Sequence, residues 1–93
     1  MTVGTVTLHL NLPGCRSLKE KRSVIRHLSS ILRKDFNVSV AEIDHNDLHQ
    51  TASLGVALVS NDRSFANAVL SKVVNRVERE PACYLQRYDL EFR

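Results

Sequence analysis

The stretch TVTLHLNLPGCRSLKEKRSVIRHL, Thr5 to Leu28, changes its period half-way. Val6, Leu8, Leu10 and Leu12 alternate with Thr5, Thr7, His9 and Asn11, the pattern of a strand with one buried face. PGCRS then breaks the strand. Beyond it Leu18, Val24, Ile25 and Leu28 recur at helical spacing, a stripe that Ile31 and Leu32 continue. Ser17 and Glu20 form an S-x-x-E capping box, in which Glu20 is expected to bond back to the Ser17 amide. A strand that runs through a short turn into a capped helix is the opening of a β-α-β unit.

The remaining chain repeats that theme. NVSVAEID (37–44) reads as a second strand, HNDLHQ as a turn and TASLGVALVS (51–60) as a third strand. NDRSF opens a second helix capped by Asn61 or Asp62, with Phe65, Val69, Leu70, Val73 and Val77 as its apolar stripe. Pro81 lies just past its end, and CYLQRYDLEF (83–92) is a fourth strand. The order β-α-β-β-α-β, with right-handed crossovers, predicts one ferredoxin-like α+β domain over residues 1–93. It consists of a four-stranded antiparallel sheet in the order 4-1-3-2 with two helices on one face. This topology brings RSLKEKR (16–22) to the same end of the domain as DHNDLHQ (44–50). Cys15 and Cys83 share that end as well.

Composition bounds the function. The chain has 93 residues, 43% hydrophobic and 25% charged, enough for one compact core and inconsistent with disorder. No apolar run approaches a membrane span, and MTVGTVTLHL lacks the basic and apolar blocks of a signal peptide, so the expected compartment is the cytoplasm. Two cysteines without metal spacing are expected to be free thiols. The net charge of +3 is modest, but its distribution is not. Residues 16–34 carry seven cations against Glu20 alone, whereas residues 35–62 carry five acids and neither Lys nor Arg.

Four patterns could carry chemistry. On a helical wheel Lys19, Arg22, Arg26 and Arg33 form a basic stripe. Lys21 falls inside the apolar stripe, so its stem packs at the end of the core and its ammonium emerges at the domain end. Arg16, Lys19, Lys21, Arg22 and Arg26 are therefore the candidate nucleic-acid or anion site, with pairing to Asp44 and Asp47 as the competing role. In DHNDLH, Asp44, His45, Asp47 and His49 offer metal-ligand types, but the spacing matches no closed motif and a polar turn is expected; no metal or cofactor is assigned. His9 and His27 read as isolated. PGCRS invites comparison with acylphosphatases, which hold phosphate in this loop. Only Gly14 is present there, however, and TASLGVALVS has no asparagine to orient a water, so a phosphate-directed enzyme is an alternative and a non-enzymatic module the expectation. Base stacking on the sheet, as in RNA-recognition motifs, lacks aromatics at Thr5, Thr7, His9, Ser53, Gly55, Ala57 and Val59. Ala41, Ile43, Gly55, Ala57 and Val59 instead make a partly apolar open face, for which a homodimer is the simplest partner.

LPGCRSLKEKRSVIRHL together with FNVSVAEIDHNDLHQTASLGVALVSND resembles the YlxP-like family. The specific parts are Ser17, Leu18, Lys19, Lys21 and Arg22, and the segment Val59 to Asp62. The resemblance implies a ferredoxin-like fold and a bacterial cytoplasmic protein of unknown function. It also implies genes often found beside those for translation initiation and ribosome maturation. RNA or a ribosomal particle is the partner that this neighbourhood suggests. The family supplies no catalytic residue to carry over.

Overall fold

The computed structural model describes residues 1–45 and 47–93. Its elements run β1 (Thr2–Asn11), α1 (Leu18–Asp35), β2 (Ser39–Asp44), β3 (Thr51–Ser60), α2 (Arg63–Glu78) and β4 (Tyr84–Phe92). The sheet order is β2-β3-β1-β4, with all three pairings antiparallel. This is the ferredoxin-like arrangement expected from the sequence.

Alternation decides which face of each strand is buried. Val6, Leu8 and Leu10 of β1, Leu54, Val56 and Leu58 of β3 and Val40 of β2 pack with Ile25, Leu28 and Leu32 of α1 and Ala66, Leu70, Val73 and Val77 of α2 in one core. Complete burial of a Leu or Val stabilises the fold by about 1.5–3 kcal/mol per side chain, so this shared layer holds the helices to the sheet. α1 lies over β2, and α2 lies over β1 and touches β3 and β4. Neither helix is long and apolar enough to cross a membrane.

Two glycines set close approaches. A Cβ on Gly4 would stand 3.1 Å from Leu70 Cδ1 and 3.4 Å from Ala66 Cβ, so Gly4 lets α2 settle on β1. On the opposite face, Gly55 leaves room for Ile43, whose Cγ2 would be 3.0 Å from an added Cβ.

α2 departs from its expected stripe. Leu70, Val73 and Val77 are buried as expected and Val69 packs against the core, but Phe65 is 58% exposed and Ala66 and Val74 are buried. The ring of Phe65 is too large for the tight seam over Gly4, and the small Ala66 occupies it. The caps form at Ser17 and Asp62, whose side chains accept from the amides of Glu20 and Ser64.

A candidate anion-binding face on helix one

Lys21 is the side chain that organises the end of the domain where α1 begins. The sequence places it in the apolar stripe, and in the structure it is only 1% exposed. Its ammonium does not emerge, which corrects the expectation for this residue. Nζ donates to the carbonyls of His45 and Leu48, both at 2.6 Å, and stands 2.7 Å from Glu42 Oε2. The Glu42 oxygen has no well-aligned donor, so the contact is an ion pair by proximity rather than a hydrogen bond. A buried charge needs this many acceptors, because desolvation costs several kcal/mol per ion.

The hairpin is shaped around that ammonium. His45 has φ 63°, in the left-handed region where a non-glycine residue is strained. Asp44 Oδ1 accepts from the His45 amide at 2.8 Å, and the His45 carbonyl accepts from the Leu48 amide at 3.1 Å. Gln50 Nε2 donates to the Cys15 carbonyl at 3.2 Å and ties the hairpin to the β1–α1 loop. RSLKEKR and DHNDLHQ thus meet as the topology requires. Lys21 engages Glu42 and backbone carbonyls there, not Asp44 or Asp47. Asp44 Oδ2 lies 3.8 Å from His45 Nε2 instead.

Glu20 acts one residue upstream of the expected position. Its carboxylate accepts from the Arg16 amide, and Ser17 Oγ accepts from the Glu20 amide at 3.2 Å. The start of α1 therefore carries its own anion. Arg33 also leaves the basic stripe, since its guanidinium donates to the Val40 carbonyl at 2.7 Å and clamps α1 to β2.

Four of the five candidate cations keep the opposite situation. Arg16, Lys19, Arg22 and Arg26 are exposed. None of them takes part in an ion pair among the described residues. Lys19, Arg22 and Arg26 climb the side of α1 at steps of three and four residues, roughly 4.5 and 6 Å along the axis. The candidate site is this lateral face with Arg16 beside it, not the first turn of the helix.

The other sequence candidates divide. Among the described residues no group of three or more His, Cys, Asp or Glu is placed to hold a metal ion. Gly14 does not adopt a positive φ, and the Arg16 amide is engaged by Glu20, so the loop presents no open cradle of amides. Cys15 and Cys83 are free and buried. Burial, then the Glu20 carboxylate, pushes the Cys15 thiol up, with Lys21 opposing. Burial, then Glu80, does the same to Cys83.

His9 is not isolated. Its Nε2 lies 3.0 Å from Asp89 Oδ2 on β4, and its Nδ1 lies 3.2 Å from Ser53 Oγ on β3. With Asp89 ionised, Nε2 donates and Nδ1 accepts from the hydroxyl. Ser53 is 2% exposed, which closes its oxygen to a substrate, so the three residues brace the strands. Their sequence separations of 44 and 80 hid the contact; the shared open-face parity of His9, Ser53 and Asp89 was its signal.

Comparison with known proteins places the chain. The family model described as "Protein of unknown function (DUF503)" matches residues 3–90. The uncharacterized protein YlxP of Bacillus subtilis (strain 168) is 37% identical over 65 residues, which cover 70% of this chain and 71% of that protein. A de novo designed protein with a ferredoxin fold, solved by solution NMR, superposes with a TM-score of 0.58 at 12% identity. That match covers 100% of this chain and 86% of the design, and a likeness of this kind concerns the fold alone.

Proposed function

This chain belongs to the DUF503 family of proteins of unknown function, and we propose that it is a non-enzymatic binding module for RNA or a ribosomal particle. Arg16, Lys19, Arg22 and Arg26 contact phosphates in this reading. One observation carries it: the acidic hairpin that could have neutralised α1 is held through Lys21, while these four exposed cations have no acidic partner among the described residues. Unpaired cations on one helix face suit a polyanion, whose counterions they release. Such contacts position the nucleic acid and carry no sequence information of their own.

The test is RNA affinity measured against salt for the wild type and for Lys19→Glu/Arg22→Glu. Affinity should fall steeply with salt, and the charge reversal should weaken binding by roughly tenfold or more while flattening the salt slope. Indifference to both would sink the reading. Lys21 stays unmodified in this test, because its replacement disturbs the fold.

The open sheet face favours a second reading, a protein-interaction module that pairs with a second copy. A shallow groove of about 390 Å³ there is lined by Thr5, Thr7, Ala41, Ile43, Gly55 and Ala57, and Ile43 and Val59 are 55% and 65% exposed. In this reading Ala57→Arg abolishes self-association seen by sedimentation.

A further inference from the structure

The two edges of the sheet are treated differently. β2 has six residues and a register shift between Glu42 and Asp44. Its Val40 carbonyl is taken by Arg33, and Glu42 carries charge toward Lys21. Shortness, a bulge, an inward charge and a covered carbonyl all blunt an edge against pairing. β4 has nine residues. It exposes Tyr84, Tyr88 and Leu90, and no side chain among the described residues bonds to the backbone of Tyr88, Leu90 or Phe92.

The direction of those backbone groups can be derived. Val3 and Arg93 exchange both amide–carbonyl bonds, at 2.8 and 2.9 Å. Arg93 therefore points its backbone at β1, and by antiparallel alternation so do Glu91, Asp89 and Arg87. Tyr88, Leu90 and Phe92 point their amides and carbonyls outward, away from the sheet.

We propose that the β4 edge is a self-association surface, on which a second copy of this chain pairs antiparallel about a twofold axis at Tyr88. The two sheets then join into one of eight strands. Charge complementarity selects this register. A twofold at Tyr88 sets Arg87 of each copy opposite Asp89 of the other, twice. Both residues are exposed, and within one chain they already pair at 3.2 Å. The Arg87 and Asp89 positions fall at non-hydrogen-bonded pairs, where side chains across an antiparallel ladder come closest. Moving the axis to Leu90 would set Asp89 against Glu91, and moving it to Asp89 would set that carboxylate against its own copy. The register shift beside Arg87 limits the paired length, and a twofold pairing closes on itself because each copy uses the same edge.

Sedimentation and cysteine cross-linking of the full chain test the inference. Wild type should dimerise, Arg87→Glu should weaken dimerisation roughly tenfold or more, and Ala57→Arg should leave it unchanged. Tyr88→Cys should form a disulfide-linked dimer under mild oxidation, because residues facing each other at a hydrogen-bonded pair have Cα atoms about 5.5 Å apart, within disulfide range. Leu90→Cys, two residues off the axis, should not. A chain that sediments as a monomer at high concentration overturns the proposal. So does a dimer broken by Ala57→Arg and indifferent to Arg87→Glu, or equal cross-linking at Tyr88→Cys and Leu90→Cys.

Discussion

Lys21 shows how a single residue is read in two steps. Its position in the apolar stripe of α1 was legible from spacing, and so was the packing of its stem. The fate of its ammonium was not, because Glu42 and the carbonyls of His45 and Leu48 lie 21 or more positions away. We predict that Lys21→Met costs about 3 kcal/mol, since it leaves a carboxylate and two carbonyls unpaired at a buried site. For a domain of this size that lowers the thermal midpoint by roughly 10–20 °C, measurable by circular dichroism. Lys21→Met/Glu42→Gln should recover part of the loss, because the orphaned charge is gone. His45 belongs to the same assembly, for its strained backbone delivers the carbonyl that Lys21 uses.

At the scale of elements, α1 follows its local signals closely. Ser17 has extended backbone angles and caps the helix, as the S-x-x-E pattern indicates. Ser17→Ala should cost about 1 kcal/mol in urea unfolding while leaving the helix in place, because the core contacts of α1 do not depend on the cap. α2 was less legible. Its apolar residues tolerate more than one facing, and the choice between Phe65 and Ala66 was made by Gly4 on another element. The strands resolved by simple alternation, except where β4 shifts register between Leu85 and Arg87 opposite β1 and β2 shifts between Glu42 and Asp44 opposite β3. The mark of the β4 bulge is the three-residue step from Leu85 to Tyr88, which the bulge turns into one face by setting Leu85 opposite Leu10 and Tyr88 opposite Leu8.

For the whole molecule, the buried thiols link stability to pH. Cys15 and Cys83 are both raised from the ordinary cysteine value of 9.0. Above that value the folded state binds more protons than the unfolded chain. Their contribution is therefore complete below about pH 9 and declines as pH rises through the raised values. Urea midpoints should fall between about pH 8 and about pH 10, and the fall should be smaller in Cys15→Ala/Cys83→Ala. The sequence by itself determined the element order, the buried face of three strands, the Ser17 cap of α1 and the basic block on α1, because periodicity and capping are local properties of the chain. The tertiary structure decided which charges are spent inside. Lys21 is buried against Glu42 and two hairpin carbonyls, Arg33 stays exposed but is tied to the Val40 carbonyl of β2, and Arg16, Lys19, Arg22 and Arg26 face solvent without an acidic partner among the described residues. Charge neutralisation depends on distance in space, and the fold sets that distance.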